Sequence, residues 1–106
     1  MIKNNLLISQ YEFLNSFLTK KCQIIDIRDY QSFLSAHIPS SINIPEDLLL
    51  SNPNLYLSKE LSYCIICRRG ISSEEVAMKL YQLGFNVKSV SGGIVNWRGP
   101  LVKGVK

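Results

Sequence analysis

The absences in this chain of 106 residues narrow its reading first. No apolar run approaches the ~20 residues of a membrane span, so no membrane partner is expected. The opening stretch from Met1 to Ile8 holds an apolar run far too short for an export leader, and Ser9-Gln10-Tyr11-Glu12 then turns polar. One histidine, His37, and three cysteines whose spacing fits no usual zinc site leave no metal and no other cofactor to expect. An odd cysteine count without a leader argues against a disulfide framework and for a reducing, cytoplasmic setting. Charge of one sign is scarce too. The net charge is +4, with Lys20-Lys21, Arg68-Arg69 and the tail from Lys103 to Lys106 scattered rather than striped. That excludes a nucleic-acid footprint and modestly favours small anionic substrates. Repeats, low complexity and linkers are missing as well. Ser51-Asn52-Pro53-Asn54 is the one loop-like patch and is too short for a linker, so residues 1–106 read as a single domain.

What is present alternates between two periods. Ser9-Gln10-Tyr11-Glu12 is a capping box that opens a short helix with Phe13, Leu14, Phe17 and Leu18 on one face and cations at its end. Cys22 to Arg28 has the β-branched content of a buried strand, and Asp29 caps a small helix over Tyr30 to Leu34. His37-Ile38-Pro39-Ser40-Ser41 is a turn, Ile42 to Ile44 a short strand, and Pro45 to Leu50 a helix with proline in its first turn. A strand over Leu61 to Ile66 and a helix from Ser73 to Leu83, stopped by Gly84, follow. Val87 to Val90 is the last strand, and Gly92-Gly93 turns into one more helical turn over Ile94 to Trp97. Strands alternating with short helices point to an α/β fold, a parallel sheet covered on both faces. Ligand sites in such sheets lie outside the carboxyl ends of the strands, where Asp26-Ile27-Arg28 and Cys67 both fall.

Cys67 is the centre of the functional reading. The uncharged run Tyr63 to Ile66 ends in it, a short loop with Gly70 follows, and Ser72 with Glu75 has the form of a capping box for the next helix. A cysteine at such a corner meets converging N–H groups and the positive end of a helix, which favour thiolate over thiol, and Arg68 and Arg69 push the same way. Glu74 and Glu75 oppose this and are expected on the outer, water-screened face. The plainer readings go to the other candidates. Cys64 is core, because three residues along a strand separate it from Cys67 by ~10 Å, too far for a disulfide. Cys22 reads as packing, His37 as a turn stabiliser and Trp97 as a core anchor. Asp26 and Arg28 either line a pocket or form an ion pair that holds the strand end. Arg68 and Arg69 are either solvated charges or substrate contacts.

Four stretches in order carry a resemblance: Ile24 to Asp29, Ala36 to Pro45, Cys67 to Ser73, and Gly92 to Trp97. Together they resemble the landmarks of a rhodanese domain across nearly the whole chain. The resemblance implies a small parallel sheet of about five strands flanked by helices on both faces. It implies a sulfurtransferase of the thiosulfate type, in which Cys67 takes a sulfane sulfur as a persulfide and passes it to a thiophilic acceptor such as cyanide or a thiol. Arg68, Arg69, Gly70, Ile71 and Ser72 would form the loop that binds a small anionic sulfur donor, or another protein's persulfide. Two positions depart from the pattern: Ser72 stands where many members have Arg, and Ser40-Ser41 replaces the more usual Gly-Ala. Two other functions stay in view. One is a non-catalytic or regulatory module or persulfide carrier. The other is a related phosphatase or arsenate reductase, which uses a longer loop with Arg six positions after its cysteine, where this chain has Ser73.

Overall fold

The computed structural model describes residues 6–104. The first part of the opening apolar run and the last two residues of the basic tail lie outside the described residues. Five strands form one wholly parallel sheet: β1 (Leu7–Ile8), β2 (Gln23–Asp26), β3 (Ile42–Asn43), β4 (Ser62–Ile66) and β5 (Asn86–Val90), in the order β1-β5-β4-β2-β3. The helices are α1 (Gln10–Thr19), α2 (Tyr30–Ser35), α3 (Glu46–Ser51), α4 (Pro53–Tyr56) and α5 (Ile71–Gln82), and a 3-10 turn spans Ile94–Asn96.

Because β4 is buried on both faces, its side chains feed two cores. On one face Tyr63 and Ile65 pack with Leu49, Val76, Ala77 and Leu80. On the other, Cys64 and Ile66 pack with Phe13, Ile38, Val90 and Trp97. Trp97 is the anchor expected of it. Its ring lies 5.1 Å from Phe13 and 5.3 Å from Phe17, and its indole N–H donates to the Pro100 carbonyl at 2.9 Å. Leu18, placed on the same face from sequence, instead points to solvent.

Local signals explain most boundaries. The Ser9–Glu12 capping box closes in both directions, and Asp29 accepts from the Ser32 N–H to start α2. Gly84, with φ of 99°, donates to Tyr81 while Phe85 donates to Leu80, a double closure that ends α5. Three features correct the sequence reading. Leu7–Ile8 is an edge strand on β5, and Pro53-Asn54 opens the short α4 rather than continuing a loop. Ser72 does not cap α5. That helix begins at Ile71 behind Gly70, whose φ of 92° needs no side-chain cap, so Ser72 and Glu75 lie inside it.

From β2 the chain runs outward to β3, and from β4 it runs the opposite way to β5. The strand order therefore reverses between β2 and β4, which leaves a crevice beyond their carboxyl ends.

Candidate functional site

Cys67 follows the last residue of β4 and sits at that crevice, 6% exposed. Its sulfur is surrounded by donors from the loop and the first turn of α5. The Gly70 N–H donates to Sγ at 3.1 Å and the Ser73 N–H at 3.3 Å. The thiol donates in turn to the Ser73 hydroxyl at 3.3 Å, and that oxygen shares a 2.7 Å hydrogen bond with the Ser89 hydroxyl on β5. Both serines are fully buried. In effect the sulfur does for the N–H of Ser73 what a capping side chain would do. Among the described residues, the N–H groups of Arg68, Arg69 and Ser72 meet no acceptor of the chain itself.

The loop is held from below by the Gly92-Gly93 turn. Ile94 N–H donates to the Cys67 carbonyl at 2.9 Å and Val95 N–H to the Arg68 carbonyl at 3.1 Å. A methyl group on Gly70 would come within 2.8 Å of the Gly92 nitrogen, and one on Gly93 would run into the Arg68 carbonyl. Glycine at these two places is thus a requirement of close backbone approach as well as of positive φ. Gln10 secures the turn from α1, donating to the carbonyls of Ser91 and Gly93 at 2.8 and 2.9 Å.

Cys67 opens onto a cavity of about 310 Å³ lined by Ile27, Arg28, Asp29, Ser32, Glu46, Arg68 and Ser72. Of the loop residues singled out from sequence, Cys67, Arg68 and Ser72 reach this cavity, whereas Arg69 and Ile71 are exposed and do not line it. Asp29, at the rim, is held below the ordinary carboxylate range by the Ser32 N–H first, then by the Ser32 hydroxyl and the charge of Arg28.

Asp26 and Arg28 divide the alternatives left open for them. The Asp26 carboxylate, fully buried, accepts from the Arg28 backbone N–H at 3.0 Å and from the guanidinium at 2.8 Å. That guanidinium also donates to the Ala36 carbonyl at 2.7 Å, and Asn43 donates to the carbonyls of both Asp26 and Arg28. Asp26 is therefore a brace behind the crevice, while Arg28 is both brace and wall. His37 lies elsewhere, stacked on Phe33 at 3.8 Å with Nδ1 donating to the Phe33 carbonyl at 2.8 Å. Among the described residues, no group of three or more His, Cys, Asp or Glu could hold a metal ion.

Sequence reasoning missed Ser89 and saw Ser73 only as the place of an absent arginine. The signal for Ser89 was available: alternation along β5 puts it on the inward face with Val87.

Comparison with known proteins gives the same outline. A family model described as Rhodanese-like domain matches residues 9–100. The thiosulfate sulfurtransferase GlpE of Shewanella oneidensis is 36% identical over 74% of this chain and 77% of its own length. The adenylyltransferase and sulfurtransferase uba4 of Ogataea parapolymorpha is 33% identical over 70% of this chain but only 19% of its own. The chain thus spans about a fifth of that longer relative. A rhodanese-related protein of Thermoplasma volcanium superposes with a TM-score of 0.82 at 30% identity, covering 90% of this chain and 95% of that one.

Proposed function

Because the chain belongs to the rhodanese-like domain family, we propose that Cys67 is a sulfur nucleophile that accepts a sulfane sulfur and hands it on. The observation that carries this reading is the placing of Sγ at the floor of an open cavity with the N–H groups of Gly70 and Ser73 aimed at it. Thiosulfate is the donor to test first. The Cys67 thiolate attacks its outer sulfur, a new S–S bond forms, and sulfite leaves with the electron pair of the bond that breaks. The persulfide then carries its charge on the terminal sulfur, where the unshared loop amides act as an anion hole does in acyl transfer. A thiophile such as cyanide attacks that terminal sulfur and departs as thiocyanate, returning the Cys67 thiolate. No step needs a general base, which agrees with the remoteness of His37.

Intact-mass measurement after incubation with thiosulfate is expected to show one added sulfur atom on Cys67, and Cys67→Ala to release no thiocyanate. Activity retained by that variant would assign the nucleophile elsewhere. Sulfur loading with slow turnover on cyanide and small thiols would mark a persulfide carrier that serves a protein acceptor. Phosphate chemistry is disfavoured by the residue six positions after Cys67. Ser73 is buried between Cys67 and Ser89, so no guanidinium fork is there to hold a phosphoryl group.

A further inference from the structure

The other two cysteines form a second sulfur cluster, separate from the crevice. Cys64 lies two residues before the end of β4, and its side chain joins the core on the face of the sheet opposite to Cys67. Cys22 lies in a bend just before β2, so its backbone is not held in the ladder. The two sulfurs are 2.7 Å apart, in hydrogen-bonding contact, and both thiols are free. A disulfide needs ~2.05 Å, so closure asks for a movement of well under 1 Å between the two sulfurs. Cys64 is buried, whereas Cys22 is half-buried and opens on a cavity of about 420 Å³ whose wall includes Lys20 and Lys21. One sulfur is therefore within reach of a solute and the other waits directly behind it.

We propose that Cys22 and Cys64 are a redox site, a dithiol that closes to a reversible disulfide by exchange with a small-molecule disulfide entering beside Lys20 and Lys21. The Cys22 thiolate attacks one sulfur of the small disulfide and expels one small thiolate, leaving a mixed disulfide. Cys64 gives up its proton and attacks the Cys22 sulfur, expelling the second small thiolate. Two protein thiols are oxidised, the small disulfide takes the two electrons, and the two protons end on the two small thiols. The polarity of the pair fits this order. The hydrogen bond from Cys64 lowers the Cys22 pKa against the effect of its burial, and the same bond, with burial, raises that of Cys64. The attacking thiolate is thus the accessible one. The bond would tie the start of β2 to β4 across 42 positions of chain and so restrict the unfolded ensemble.

The test exposes the whole chain, and its Cys67→Ser variant, to oxidised glutathione. In both, the expected product joins the tryptic peptide 22–28 to the peptide 60–68 with the loss of two hydrogens, apart from glutathione carried on Cys67 of the wild type, and after unfolding in urea it resists iodoacetamide at Cys22 and Cys64 until dithiothreitol is added. The melting temperature should rise by about 10 °C in the oxidised form and not in oxidised Cys22→Ser. Cys22→Ser is a change at a half-buried bend, and Cys64→Ala supplies a second control from the partner's side. The proposal is overturned if Cys22 and Cys64 both stay alkylatable, if glutathione remains on Cys22 with Cys64 free, or if oxidation leaves the melting temperature unchanged or lower. None of these readouts uses sulfur transfer, so they are independent of the role given to Cys67.

Discussion

The residue that most alters the picture of the site is Ser73. Sequence alone located Cys67, because an uncharged strand run, a Gly-containing loop and a helix leave a cysteine at only one kind of corner. The serine six positions on was not legible as a partner, since a polar residue early in a helix reads as surface. Its hydroxyl links the Cys67 sulfur to Ser89, and all three groups are buried. Ser73→Ala strands the Ser89 hydroxyl without a partner, and urea unfolding is expected to show a loss of about 1–2 kcal/mol. Adding Ser89→Ala should cost less than a second independent deletion, because it removes the stranded group; additivity in a double-mutant cycle would refute the link. Sulfur loading of Ser73→Ala should slow but persist, since the Ser73 N–H remains. The arginines are separable in the same way. Arg68 lines the cavity and Arg69 does not, so Arg68→Gln should raise the KM for thiosulfate several-fold more than Arg69→Gln. Equal effects would mean that both act only through distant charge.

At the scale of the element, two similar serine motifs met different fates. Ser9 with Glu12 forms a capping box, whereas Ser72 with Glu75 lies within α5 because a glycine with positive φ already starts that helix. A spacing rule sees side chains, and this start is made by backbone and by the sulfur of Cys67. Ser9→Ala is therefore expected to cost about 1 kcal/mol in denaturant unfolding, and Ser72→Ala no more than a few tenths. The edge strand β1 escaped notice because two residues are too few for periodicity, and its pairing with β5 is set by tertiary contact. For α2, the Asp29 cap carries a pH signature. Its folded pKa is depressed, so its contribution is full above the unfolded pKa of ~4 and is lost as pH falls through the lower folded value. Asn caps without titrating. The melting temperature of the wild type relative to Asp29→Asn should hold steady near neutrality and drop as the pH is taken from ~5 to ~2. A constant difference over that range would show that the carboxylate is not the capping form.

For the whole molecule, alternation of periods sufficed to expect a parallel sheet covered on both faces, but not the order of its strands. That order decides where the site lies, because the reversal between β2 and β4 is what opens the crevice. It also decides what field an incoming anion meets. The chain carries +4, yet the cavity wall is mixed: Arg28 is neutralised by Asp26, and Arg68 shares the wall with Asp29 and Glu46. On the function proposed, attraction at long range would then come from the diffuse net charge, and hold at short range from Arg68 and from backbone N–H groups, which carry no net charge to screen. Steering of this kind is weak. Raising ionic strength from ~0.01 to ~0.15 M shortens the Debye length from about 30 to 8 Å, and kcat/KM for thiosulfate should fall by about threefold or less. A drop of ten-fold or more would require a wall of one sign. Glu46→Gln tests the same balance from the other side. Removing that rim anion leaves only Asp29 to oppose Arg68 in the wall, so this variant should bind thiosulfate more tightly and show a steeper salt dependence than the wild type.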